Sequence, residues 1–276
     1  VKDKLFENYK KLVTDFYFEV EKLYGDKTDI LNQIPSIQIP GFGINYPTSP
    51  RKILYLGIDN RGWDSILDVL NSRKEDQNFI KTEIEGTCSV LENMTFIKWF
   101  KEQTKDNIKT SPFWNVLIKI HLSLKNVKFN DPIQVDDILY IKDHLMDFSW
   151  GNTHSIMVYN SYLKNYKPKN GEIQLAKTDY QNIQKLTKPF DNLELMVETL
   201  SPDVVIIMNG GTWENINYKD FLSSFQIQKD SSTKQWEKYL NKSRDITLFW
   251  LNHPRANNFG KHERIIKYLK TELDVS

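Results

Sequence analysis

Four short apolar runs constrain this chain more than anything else in it: KILYLGI at 52–58, SIMVYN at 155–160, DVVIIMNG at 203–210 and ITLFWLN at 246–252. Each is short, nearly continuous in apolar residues and rich in β-branched or aromatic side chains, the mark of a strand buried on both faces of a parallel sheet. Helical patterns stand between and after them. Ser111-Pro112 reads as cap and first turn of a helix through FWNVLIKIHLSL, NLELMVETL leads into the third run, and HERIIKYLKTEL closes the chain. This alternation predicts an α/β fold: a three-layer α/β/α sandwich around a central, mostly parallel four-stranded sheet.

Ahead of the first run, Leu5, Tyr9, Leu12, Val13, Phe16, Val20 and Leu23 recur at helical spacing, and Gly25 follows where a C-terminal cap is expected. The stretch IPSIQIPGFGINYPTSPRK carries four prolines and two glycines and predicts an extended segment. The reading is one domain over 1–276, with residues 1–50 as an N-terminal helix and Pro-rich extension and residues 65–150 as a helical insertion between the first two strands.

Composition narrows the function classes. A formal charge of +1, from 37 basic and 36 acidic residues, excludes a protein that holds nucleic acid mainly by bulk electrostatics, so any polynucleotide contact is local. One cysteine, Cys88, leaves no internal disulfide and fits a cytoplasmic protein. The apolar runs are far too short to cross a bilayer, and no signal-peptide pattern opens the chain, so no membrane partner is expected.

In an open α/β sheet, ligands bind beyond the carboxyl ends of the strands. Asp59 follows the first run, Asn160 ends the second, Asn209-Gly210-Gly211 ends the third and His253-Pro254-Arg255 follows the fourth. A carboxylate, a carboxamide and an imidazole drawn from distant segments to one edge are the raw material of a hydrolytic site.

These residues resemble the signature of the uracil-DNA glycosylase superfamily over roughly residues 50–270. GIDN resembles its first motif, which puts Asp59 on the water-positioning acid. IMVYNSYLK resembles the strand whose terminal Asn reads the uracil edge, which puts Asn160 on that role. SPDVVIIMNGG is similar to the third strand, and LFWLNHPR resembles the final His-Pro-Ser turn, whose His steadies the departing base, here His253. Asn60 stands where the best-known branch has Pro, Arg61-Gly62 replaces residues that include its pocket-closing Tyr, and Arg255 replaces Ser. HPRANNFG also lacks the Leu that wedges into duplex.

The resemblance implies hydrolysis of the N-glycosidic bond of an extruded base in DNA, single-stranded DNA included, as in base-excision repair. Asp59 would orient water against a cationic sugar, and His253 would donate to the oxyanion on the leaving base. Trp63, Phe148 and Trp150 are the candidate base-stacking rings, and Arg255, Lys261 and Arg264 the candidate phosphate contacts. No cofactor is implied. The spacing of His144 and His154, with Asp143 and Asp147 nearby, matches no zinc template, so no metal is expected. Two rivals stand beside this reading: a catalytically inactive nucleic-acid- or protein-binding module on the same fold, and a different small-molecule hydrolase.

Overall fold

The computed structural model describes residues 1–57, 65–73, 78–92, 112–131, 133–153, 176–209, 226–228, 236–241, 243–252, 254 and 262–275. The chain gathers into two compact units, each assembled from three segments: 1–40, 58–87 and 151–200 in the first, 41–57, 88–150 and 201–276 in the second.

The first unit is helical. Its longest element, α1 (Lys2–Tyr24), buries Leu5, Tyr9, Val13, Phe16, Tyr17, Val20 and Tyr24 along one stripe. Phe190 meets that stripe at Tyr9 and Phe16, with ring centroids 6.4 and 5.8 Å apart, and Asn8 donates to Thr199 Oγ1 at 2.8 Å. The predicted stripe is therefore present, with Leu23 exposed and Tyr17 and Tyr24 buried instead. α1 contributes this buried stripe to the unit's core. Gly25 takes right-handed helical angles, so it does not end the helix by a left-handed turn. Short helices α2 (Thr28–Gln33) and α3 (Ile66–Arg73) belong here, as does most of α4 (Phe79–Glu92), along with α7 (Lys177–Thr187) and α8 (Leu193–Leu200). Asn192 caps α8, its side-chain oxygen accepting from the Glu194 and Leu195 amides.

The second unit carries the sheet. Its strands are β1 (Gly41–Phe42), β2 (Ile53–Gly57), β3 (Phe148–Asn152, whose last two residues fall in the first unit), β4 (Val204–Met208), β5 (Gln226–Gln228), β6 (Trp236–Asn241) and β7 (Ile246–Leu251). Among the described residues the sheet has seven strands in the order β1-β3-β2-β4-β7-β6-β5. β2, β4 and β7 run parallel, with Tyr55 beside Ile206 and Ile206 beside Phe249; β1 with β3, β7 with β6 and β6 with β5 are antiparallel.

Three of the four predicted strands are thus present as a parallel trio, and the α/β class holds. The sheet is mixed and wider than the expected four strands because antiparallel strands extend both margins. The second predicted run, 155–160, lies outside the described residues. The strand beside β2 is β3, at the end of the stretch read as a helical insertion.

One face of the trio, Ile53, Tyr55, Val204, Ile206, Met208, Phe249 and Leu251, packs into a core with α5 (Pro112–Leu124), α6 (Val135–Ile141) and α9 (His262–Glu272). Residues of the opposite parity, including Leu54, Leu56, Val205, Ile207 and Leu248, are equally buried. Burial of both faces is why the sequence runs apolar without alternation. α5 starts at Pro112 as expected and buries its whole circumference beyond the first turn, Lys119 and His121 included.

Candidate active site at the carboxyl edge of the sheet

The parallel register fixes a rim. Ile53, Val204 and Thr247 lie side by side, and so do Leu56, Ile207 and Trp250, so β2, β4 and β7 finish together at Gly57, Met208 and Leu251. Asn209, the first residue beyond β4, is fully buried, and Asn252, the first beyond β7, is half-buried. Strand spacing of about 4.8 Å makes the trio's rim about 10 Å from β2 to β7.

Asp59, Trp63, Asn160, His253, Arg255 and Lys261 lie outside the described residues. Arg264 is described: it sits exposed in the first turn of α9. Phe148 and Trp150, read as base-stacking rings, are 1% and 2% exposed. Phe148 lies between Tyr55 and His121, with centroids at 5.7 and 4.9 Å, and Trp150 packs on Trp114 at 5.9 Å and beneath Gly41. Both belong to the core of the second unit, and a base cannot reach either face. The sequence placed them near the sheet edge because β3, the strand that buries them, was not foreseen.

Behind the rim the same core holds a polar relay that sequence reasoning missed. Tyr55, midway along β2, reaches His121 Nδ1 from its hydroxyl at 3.2 Å, and His121 Nε2 lies 2.8 Å from Asp147 Oδ1. Lys125 donates to the other Asp147 oxygen. Burial pushes the His121 imidazole below its ordinary value, and the opposing pull of Asp147 does not restore it. Burial pushes the Asp147 carboxyl up, but His121 and Lys125 outweigh it and hold the group below the usual carboxylate range. Burial, reinforced by the Asp147 charge, holds the Tyr55 phenol well above its own.

One proton arrangement satisfies every member: neutral His121 donates from Nε2 to carboxylate Asp147 and accepts at Nδ1 from the Tyr55 hydroxyl. With Tyr55 and His121 sealed from solvent, the relay ties β2, α5 and the turn before β3 together. The only sequence signal was a His inside an otherwise apolar helical pattern. Asp147, considered beside His144 as a metal ligand, is committed to this relay. Among the described residues no cluster of three or more His, Cys, Asp or Glu side chains is placed to hold a metal.

A second charged group lies on the α9 side of α5. Lys119 is buried and donates to exposed Asp131 at 2.7 Å, and its charge acts on half-buried His262 at the start of α9. Burial first, then the Lys119 ammonium, pushes the His262 imidazole down against the opposing Asp131 charge. One turn before Lys119, Asn115 is 7% exposed, and its buried side-chain oxygen has no hydrogen-bond partner among the described residues.

Compared with known proteins, the chain matches no protein-family model and no curated sequence. Among the described residues no helix is long and apolar enough to cross a membrane.

Proposed function

We propose that this chain is a uracil-DNA glycosylase-like hydrolase, a three-layer α/β/α protein of the cytoplasm that cleaves the N-glycosidic bond of a base extruded from DNA. What supports the reading is the parallel register of β2, β4 and β7, which ends the strands preceding Asp59 and His253 at one rim. Asp59 orients a water and stabilises the cationic sugar. His253 donates to the base as it leaves with negative charge, a type of contact whose removal costs about 3–4 kcal/mol of transition-state stabilisation. By the resemblance, Asn160 reads the ring edge, and Arg255, Lys261 and Arg264 hold flanking phosphates.

The test is a uracil-bearing single-stranded oligonucleotide incubated with the protein and then cleaved with alkali at abasic sites. Strand scission is expected with the wild type. It should fall at least about 100-fold in His253→Ala and vanish in Asp59→Ala. No abasic product from uracil, hypoxanthine or mismatched bases would leave the second reading, a binding module without catalysis. Burial of Phe148 and Trp150 withdraws two of the three rings offered for stacking from both readings alike. Retention on single-stranded DNA that weakens steeply with salt and shows no turnover is its signature.

A further inference from the structure

α5 and α9 end side by side in the second unit, where Lys270 donates to Asn126, and both helices end in the same way. The Val127 amide reaches back to the Leu122 carbonyl at 2.9 Å and the Asn126 amide to Ser123 at 3.1 Å, with Asn126 at φ 56°. The Val275 amide likewise reaches Lys270 at 2.9 Å and the Asp274 amide Thr271 at 3.3 Å, with Asp274 at φ 50°. Each left-handed cap satisfies the last carbonyls and turns the chain sharply at its helix end.

Between the two ends opens a cleft of about 540 Å³. Phe129, Ile266 and Val275 line it half-buried and pack on the core of this unit, and one stripe of α9, Glu263, Ile266, Lys267 and Lys270, forms a wall. That spacing of i, i+3, i+4 and i+7 is the seam along which one helix packs on another. Here the seam is incomplete. Glu263 and Lys267 are exposed one turn apart, and their side chains make no ion pair or hydrogen bond with each other or with any other described residue. Lys270 spends one N–H on Asn126 and keeps two more.

The order of charge along the stripe, acid, apolar, base, base, selects what completes it. A parallel copy of α9 would set Glu263 against itself and each lysine against itself. An antiparallel copy centred between Ile266 and Lys267 sets Glu263 against Lys270 twice and lays the Lys267 methylenes on Ile266 of the second copy. A centre shifted to between 268 and 269 brings Lys267 onto Lys270 and Glu263 onto Asp274, so like charges reject that register.

We propose that two copies of this chain pair across this cleft, α9 against α9 about a two-fold axis, with Phe129 flanking the seam. Such a pairing uses one patch twice and closes at two copies. The helix has 11 residues and a length of about 16 Å, too little for a permanent interface, so the pairing is reversible, with a Kd of about 100 µM.

The test is sedimentation velocity on the whole chain from about 10 to about 500 µM, a range that brackets that Kd. It compares the wild type with Glu263→Lys and Lys270→Glu, each alone and mixed in equal amounts. The wild type should pass from monomer toward dimer. Either reversal alone faces like charge with like at both ends of the seam and should weaken association at least about 10-fold. The mixture should recover it, because every contact in a mixed pair is again acid to base. Lys270→Glu also loses its bond to Asn126, but a folding defect is not mended by adding a second variant, so recovery on mixing reports the contact itself. A wild type that stays monomeric throughout gives the cleft to some other partner and overturns the proposal. So does an association unmoved by both reversals, or a mixture no better than its components.

Discussion

At its C-terminal end α5 buries a histidine whose two ring nitrogens both have partners; near its N-terminal end it buries a carboxamide oxygen that has none among the described residues. The two sites are six residues apart on one helix, in the same core, yet they answer to different demands. Around His121 each polar group finds a mate within the protein, so the cost of taking it from water is offset locally. Around Asn115 no mate stands among the described residues, so the cost of taking that oxygen from water has no local offset.

The sharpest way to break this contrast is at Asp147. Asp147→Ala removes the acceptor of His121 Nε2 and the partner of Lys125, leaving a buried donor and an unpaired ammonium. A loss of about 3 kcal/mol in urea unfolding is expected, at the low end for a disrupted buried pair because Asp147 keeps some exposure. A loss below about 0.5 kcal/mol would mean that water replaces the carboxylate at no cost and that the two ends of α5 do not differ.

Tyr55→Phe is milder. It leaves His121 Nδ1 as a buried acceptor without a donor, turning that end of α5 into a copy of the Asn115 situation, and should cost about 1.5 kcal/mol. The opposite signs expected for Tyr55→Phe and for Asn115→Leu, which replaces an unpaired oxygen with apolar volume, are the cleanest measure of the difference; equal signs would erase it.

The gentlest effect is a slope with pH. His121 sits below its ordinary 6.5 in the fold, with burial the largest cause. The unfolded chain therefore binds more protons as the solution is acidified past that value. Its contribution is complete above about pH 6.5 and is lost as pH falls toward the lowered value. Asp147, below its ordinary 3.8, acts in the same direction at more acid pH. The urea midpoint should accordingly drop between pH 7.5 and 5, and His121→Asn should flatten only part of that drop, because His262 is also held low. A midpoint that rises on acidification would contradict the neutral imidazole.

Legibility followed the same divide between what a residue does alone and what it does with a distant partner. VVIIM in β4 and ILYLG in β2 were readable because burial on both faces writes itself into every position. WEKYLN in β6 was not, since an antiparallel strand with one wetter face spreads its apolar residues among charges. FSWGN in β3 hid for a related reason: only Phe148 and Trp150 speak for it, and the glycine after them reads as a turn. The relay was out of reach because Tyr55 and His121 are 66 positions apart and nothing local to either names the other. For Asn115 a faint signal existed, an amide of poor helix propensity in a turn otherwise made of Phe, Trp and Val. The expectations for Asp59, Asn160 and His253 rest where the sequence put them, outside the described residues.

β1 carries one more consequence. A β-carbon on Gly41 would stand 2.5 Å from the Trp150 ring, so the outermost rung of the sheet closes over an indole only because position 41 has a hydrogen to offer. That rung is two residues long, which leaves little unpaired backbone for a stray chain to zip onto. Any enlargement at position 41 would have to push that ring aside or lift the rung, and lifting it would uncover the backbone of Ser149 and Trp150.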